Sequence, residues 1–212
     1  MQQLDLPLPK PVNPRAEEFL VGPSNAQAVH AIEHWGTWPV MTALLVGPRK
    51  SGRSLLARAF VAKTGGTVID DAHRSSESDL FHAWNRAQGD HRPQLLVADH
   101  APPAWAIRLP DLRSRIAASP HLVVDHPDDA LVGDLLRYLF ERRDLDARDD
   151  VIAWLDRRLE RTHLAVLRAV ERIEEEADRR RVRRLSVPLA RAALGGGGFI
   201  IDPSHEAVRA VG

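Results

Sequence analysis

Between the apolar run Met41 to Val46 and the amphipathic run Ser54 to Val61 lies Gly47-Pro48-Arg49-Lys50-Ser51-Gly52-Arg53-Ser54, a segment that leaves a chain few folds to choose from. A buried strand, a glycine-bounded basic loop and a helix, in that order, let backbone N–H groups turn inward around a phosphate. A cation then reaches the terminal oxygens and a hydroxyl holds magnesium. The segment fits the pattern G-x-x-x-x-G-K-[ST] at every position but one, because Arg53 stands where a lysine is expected. A guanidinium keeps the charge but is planar and wide where an ammonium is compact. Anion attraction should therefore survive the exchange better than the fit that hydrolysis needs. The plain alternative, a Gly-Pro turn joining strand to helix, explains the loop but not its flanks. Gly47 to Ser54, with Leu55 behind them, are the candidate nucleotide-binding residues, and Ser54 is the candidate magnesium ligand.

Asp70 and Asp71 close a second short apolar run, Thr67-Val68-Ile69. Carboxylates at the end of a buried strand beside a phosphate loop are placed to hold magnesium and to orient water. Without the loop, either would be an ordinary turn residue. Asp99 closes a third run, Gln94 to Ala98, where it can sense a terminal phosphate or simply begin the turn before Pro102-Pro103. Ten histidines are present, but His73, His82 and His91 have no convincing ligand spacing and read as composition.

The remaining organisation follows from periodicity and punctuation. Residues 1–14 carry Pro7, Pro9, Pro11 and Pro14 and read as an extended tail. Ser24 and Asn25 can cap a helix reaching about Trp35. Strands are expected at 41–46, 67–71, 94–98 and 122–124, with a helix through Leu80, Phe81, Trp84 and Ala87. From Asp128 onward the pattern is helical throughout: 130–143, 149–161, 164–180, and 188–194 with Ser186 as cap and Pro188 in the first turn. Gly195 to Gly198 ends the last helix, and the basic cluster Arg179 to Arg184 reads as a solvated helix end. The fold class is therefore α/β, a P-loop base with a reduced parallel sheet at 15–127 followed by a small all-α lid at 128–195 and a tail at 196–212.

Lys+Arg and Asp+Glu both number 29, which removes a whole-chain basic signature for nucleic acid. The absence of cysteine excludes disulfides and thiolate metal sites and fits a reducing cytoplasm. No apolar stretch approaches spanning length and no signal peptide is recognised, so a cytoplasmic protein without a membrane role is expected.

Five segments carry a resemblance: Phe19-Leu20-Val21-Gly22-Pro23-Ser24-Asn25, the loop at 47–54, Asp70-Asp71, Leu109-Pro110-Asp111-Leu112-Arg113-Ser114-Arg115, and Leu185 to Arg191. They resemble successive boxes of the DnaA-like AAA+ family, and more closely its shorter Hda-type members, regulatory inactivators of the DnaA initiator. The resemblance covers roughly residues 3–194. It implies an AAA+ fold with a lid, and adenine-nucleotide contacts by Leu20, Val21 and Gly22. Bound ADP, with ATP as the other candidate, and Mg would sit at the loop. Arg115 falls on the family's arginine finger, which acts in trans on a neighbour's nucleotide. Gln3-Leu4-Asp5-Leu6-Pro7-Leu8 is similar to the hexapeptide by which Hda-type proteins dock on the DNA polymerase sliding clamp. Partners implied are that clamp (its beta subunit) and DnaA, with DNA reached only through the clamp and a homodimer left open. The chain ends after the lid, so the initiator's helix-turn-helix domain is not expected.

Departures from the family pattern point the same way. Only a short stretch, residues 62–69, separates the loop helix from Asp70, so a strand and helix usual in the family are missing. Leu164 stands near the family's lid sensor arginine, and no glutamate follows Asp71. The expected function is a negative regulator of replication initiation that stimulates hydrolysis on the initiator and has no autonomous activity. The alternatives are an independent AAA+ ATPase, such as a helicase loader or remodeller, and a non-catalytic nucleotide-binding scaffold.

Overall fold

The computed structural model describes residues 18–195, and the tails, including Gln3 to Leu8, lie outside them. In chain order the elements are α1 (Ala26–Glu33), β1 (Thr42–Val46), α2 (Arg53–Thr64), β2 (Thr67–Ile69), α3 (Glu77–Gly89) and β3 (Gln94–Ala98). Then come α4 (Pro110–Ala118), β4 (His121–Val123), α5 (Asp129–Glu141), α6 (Asp149–Asp156), α7 (His163–Arg180) and α8 (Val187–Leu194). The chain divides into two compact units between Asp125 and His126.

In the first unit the strands pair in parallel in the order β2-β3-β1-β4. All five residues of β1 and of β3 are buried, which is why both read as unbroken apolar runs. Strand alternation sends Ala43, Leu45, Leu95 and Val97 to one face, against Leu56, Ala57 and Phe60 of α2 and Val29 and Ile32 of α1. Leu44, Val46, Leu96 and Ala98 take the other, against Leu80 of α3 and Leu112 and Ile116 of α4. Two helical layers thus enclose a four-stranded sheet, the reduced parallel sheet expected from the short spacing before Asp70.

The second unit is helical and has its own core of Leu136, Phe140, Leu155, Val166, Val170, Ile173, Leu185 and Leu189. Three of its helices begin on side-chain caps. Asp128 accepts from the Leu131 N–H at 3.0 Å, Thr162 from Ala165 at 3.1 Å and Ser186 from Leu189 at 3.4 Å. Among the described residues no helix is long and apolar enough to cross a membrane.

Several boundaries differ from those read from sequence. The first helix stops at Glu33, and a 3₁₀ turn at Trp35–Thr37 replaces its last turn. Asn25 precedes it without capping it, because its side chain is engaged with Leu20 and Gly22 instead. The second strand ends at Ile69, since Asp71 lies in the left-handed region at φ 48° and cannot continue a ladder. The helix expected to reach Arg161 ends at Asp156, where Arg158 and Leu159 both return hydrogen bonds to the Leu155 carbonyl and tighten the chain into turns. Helix α4 is an addition to the elements expected from sequence. Its cue is Pro110 at the first helical position, but only Leu112 and Ile116 mark its buried side.

His163, the first residue of α7, is 6 % exposed, and its Nδ1 finds no hydrogen-bond partner among the described residues. Burial, reinforced by the nearby charge of His126, pushes its imidazole down to about 4. A folded-state value below the unfolded 6.5 means that the unfolded chain takes the proton first as pH falls. This contribution is complete above pH 6.5 and is lost progressively toward pH 4. Denaturant titrations should show wild type losing about 2 kcal/mol more between pH 7 and pH 5 than His163→Leu. Equal acid sensitivity in the two proteins would remove His163 as the cause.

Candidate nucleotide-binding site

Parallel strands put their carboxyl ends on one edge of the sheet, so the residues following β1, β2 and β3 are brought to the same place. Those residues are Gly47 to Gly52, Asp70-Asp71 and Asp99.

The loop's shape depends on two glycines. A Cβ at Gly47 would stand 2.3 Å from the Val124 carbonyl oxygen, so the chain leaves β1 pressed against the segment that follows β4. Gly52 takes φ 86° immediately before α2, and a Cβ there would meet the Phe19 ring at 2.9 Å. No side chain caps α2, so the leading N–H groups of that helix are left to whatever anion approaches them. Ser51 is buried, and its Oγ has no partner among the described residues. Uncapped N–H groups and an unsatisfied hydroxyl are the features a phosphate would satisfy.

Ser54 Oγ donates to Asp70 Oδ2 at 2.8 Å, and Asp70 Oδ1 accepts the Asp71 N–H at 2.9 Å. A hydroxyl and a carboxylate in contact at the head of the loop helix are the donor set that a phosphate-bound magnesium uses. Asp71 is exposed and leaves its own turn uncapped. One ligand atom from each of Asp71, His73 and Asp99 lies within 4.8 Å of the others, a cluster that can attract a cation. His73 joins this site only through the 3₁₀ turn Ala72–Arg74, which nothing in its spacing to other histidines announced.

The cation of the loop is committed elsewhere. Arg53 donates through Nη1 to the Ala98 carbonyl and through Nη2 to Asp99 Oδ1 at 2.6 Å, with the two side chains 10 % and 15 % exposed. His73 Nε2 lies 3.6 Å from the second oxygen of Asp99. The Arg53 hydrogen bond, then the charges of Arg53, His73 and Arg49, hold the Asp99 carboxyl below the usual carboxylate range against the opposing effect of burial. Arg53 and Asp99 are thus brought together as a pair, an arrangement that neither one's position in the sequence discloses.

The segment at 19–25 is tied down by Asn25, which is 2 % exposed. Its Nδ2 donates to the Leu20 carbonyl and its Oδ1 accepts the Gly22 N–H, each at 2.9 Å. Leu20, Val21 and Gly22 are half-buried, and Val21 packs on the core beneath α1 and α2.

Arg115, near the end of α4, is held on the other side of the sheet. Its guanidinium carbon lies 4.5 Å from the Phe81 ring centroid and 5.0 Å from that of Trp84, both on α3. Its Nε donates to Asn85 Oδ1 at 3.1 Å, and among the described residues neither Nη group has a hydrogen-bond partner. Trp84 Nε1 donates to Ser119 Oγ, which donates to the Arg115 carbonyl, so the ring is fixed to the same turn. Glu77, at the start of α3, accepts the Arg108 and Leu109 N–H groups at 2.9 and 2.6 Å and anchors the entry to α4. Those two backbone bonds hold its carboxyl below the usual range. Leu164, in the second unit, is an exposed apolar side chain on α7.

No protein-family model matches the chain. Among solved structures it is similar to domain III of the Thermotoga maritima replication initiation protein DnaA, with a TM-score of 0.70 at 14% identity over 84% of this chain and 93% of that one. It is also similar to a replication initiator DnaA bound to AMPPCP and single-stranded DNA (TM-score 0.60, 18% identity, 81% and 70% covered). A third is a single-residue variant of Thermotoga maritima RuvB (TM-score 0.61, 15% identity, 84% and 70% covered). At these identities the likeness is one of fold. The chain has an α/β fold with a parallel sheet like that of these DnaA and RuvB domains.

Gly47→Ala is expected to force the loop off the Val124 carbonyl at a cost of about 1–3 kcal/mol. It should lower the melting temperature by several degrees. An unchanged melting temperature would mean that the loop tolerates a side chain there.

Proposed function

We infer that this chain is a negative regulator of replication initiation that acts on the initiator rather than on a nucleotide of its own. The observation that carries the reading is the presentation of Arg115, whose flat face is stacked on Phe81 and Trp84 and whose Nε is bonded to Asn85, with both Nη groups left over. A guanidinium fixed in this way retains the two-pronged edge that binds phosphate oxygens and loses little entropy when it does so. Inserted beside ATP on a neighbouring initiator, it would stabilise charge developing on the γ-phosphoryl group as water attacks and the bond to the leaving ADP breaks. The initiator would be converted to its ADP form.

The chain's own loop, by contrast, has its cation paired with Asp99, which speaks against turnover there. Gly47 to Leu55 would hold the phosphates of ADP, Leu20 to Gly22 would line the adenine, and Ser54 with Asp70 would hold Mg. Gln3 to Leu8 would dock on the sliding clamp, concentrating the protein where replication is active. The DnaA-like fold and the adenine-nucleotide analogue bound by one structural neighbour are consistent with this division of labour.

The test follows conversion of initiator-bound ATP to ADP with this protein and its cognate clamp loaded on DNA. Stimulation should need both components, and the protein alone should hydrolyse ATP negligibly. Arg115→Ala should abolish stimulation, a loss of roughly 10³-fold or more, while clamp binding is retained. Arg115→Lys should not restore it, because an ammonium has neither the fork nor the stacking face. Turnover by the isolated protein at a rate matching the stimulated one would overturn the reading in favour of an independent ATPase. Deleting residues 1–8 should remove clamp binding and leave the melting temperature unchanged.

A further inference from the structure

Arg53 and Asp99 stand 46 positions apart in sequence and meet at 2.6 Å, one from the head of the loop helix and the other from the turn after β3. The guanidinium turns one N–H of each Nη here, to the Ala98 carbonyl and to the Asp99 carboxylate, so its fork is held away from a phosphate on the loop and its charge is already matched. The pair is mostly shielded, and Asp99 stays ionised at neutral pH for the reasons given above. An entering phosphate therefore meets a loop whose strongest attraction has been cancelled and whose neighbour carries a negative charge of its own.

We propose that Asp99 is an intramolecular competitor for the phosphate of a bound nucleotide, and that ADP enters the loop only by taking Arg53 from it. The proposal rests on the reading of residues 47–54 as a phosphate site. In this arrangement Asp99 sets the affinity, where a residue in its place is more readily read as a sensor of the nucleotide. The pair also supplies internally part of the neutralisation that an anion would bring, which keeps the loop formed without one. Arginine at position 53 is what makes this work. A planar fork can hold a carbonyl and a carboxylate at once, and the single ammonium of a lysine would be released from them more easily.

Two substitutions test it by different routes. Asp99→Asn keeps the shape and removes the charge, whereas Arg53→Lys keeps every carboxylate and removes the fork. Calorimetric titration with ADP, with inorganic phosphate as the minimal probe, should show each variant binding about tenfold or more tightly than wild type. The double variant should fall well short of the product of the two gains, since either change alone breaks the same pair. Melting temperatures identify any variant that fails to fold, and the other substitution then decides. Binding that is unchanged or weaker in a folded Asp99→Asn protein, with wild type binding ADP, would overturn the competitor and leave the phosphate site standing. Absence of ADP and phosphate binding in wild type and in both folded variants would overturn the phosphate site itself, and the proposal with it.

Discussion

The burial of β1 on both faces and along both edges is the constraint from which the base follows. With no water to satisfy its backbone, β1 must be paired on each side, and β3 and β4 supply that pairing in parallel. Parallel pairing forces every connection to return across the sheet through a helix, so helical layers form on both faces and all strands finish at one edge. The loop, Asp70 and Asp99 then become neighbours although they are far apart in the chain. A slip of one residue in the β1–β3 register would send Leu44 and Leu96 to the wrong layer and move Asp99 away from Arg53. Packing and chemistry are therefore fixed by the same ladder.

The two arginines singled out in the sequence end in opposite electrostatic situations, and the contrast gives the division between binding and activation its physical content. Arg53 is matched to a carboxylate and a carbonyl in a shielded place, where a charge-assisted pair is strong and its cation is unavailable. Arg115 is matched to two aromatic faces and an amide oxygen, partners that orient a guanidinium without neutralising it. The first arrangement withdraws a positive charge from the loop at 47–54. The second keeps one presented at the surface.

What could be read in advance was what local sequence determines. β3 was legible to the residue because Leu95 to Ala98 is a continuous apolar run between turn formers, and α8 to within one residue because Ser186 and Pro188 mark its start. The loop was legible because glycine, basic and hydroxyl residues at fixed spacing have one mechanical use together. The AAA+ fold itself was legible through the resemblance of five short segments, and the solved neighbours agree with it. Partnerships that the tertiary fold creates were not legible. Arg53 looked like a phosphate ligand because its position says so, and nothing near it in sequence names Asp99. Likewise Asn85 and Trp84 lie 30 and 31 residues before Arg115, on a helix whose spacing announced only its buried side. His73 reaches Asp99 through a turn set by the left-handed backbone of Asp71, a conformation a non-glycine residue rarely adopts.

These long-range pairs also explain how a P-loop can depart from its pattern and keep its form. In a loop built to hold nucleotide, the lysine is neutralised by the phosphate, and an empty loop carries an unbalanced charge. Arginine in place of lysine supplies a second, separate donor nitrogen, enough to span the carbonyl that ends β3 and the carboxylate beyond it. The loop helix is thereby fastened to the sheet by the side chain that would otherwise have fastened it to a ligand. The architecture then depends less on nucleotide, and the geometry of the site can persist while the demand for turnover is relaxed. Under the proposed function, in which Arg115 would be presented to a neighbour, that rigidity of the base would matter more than a catalytic site of its own.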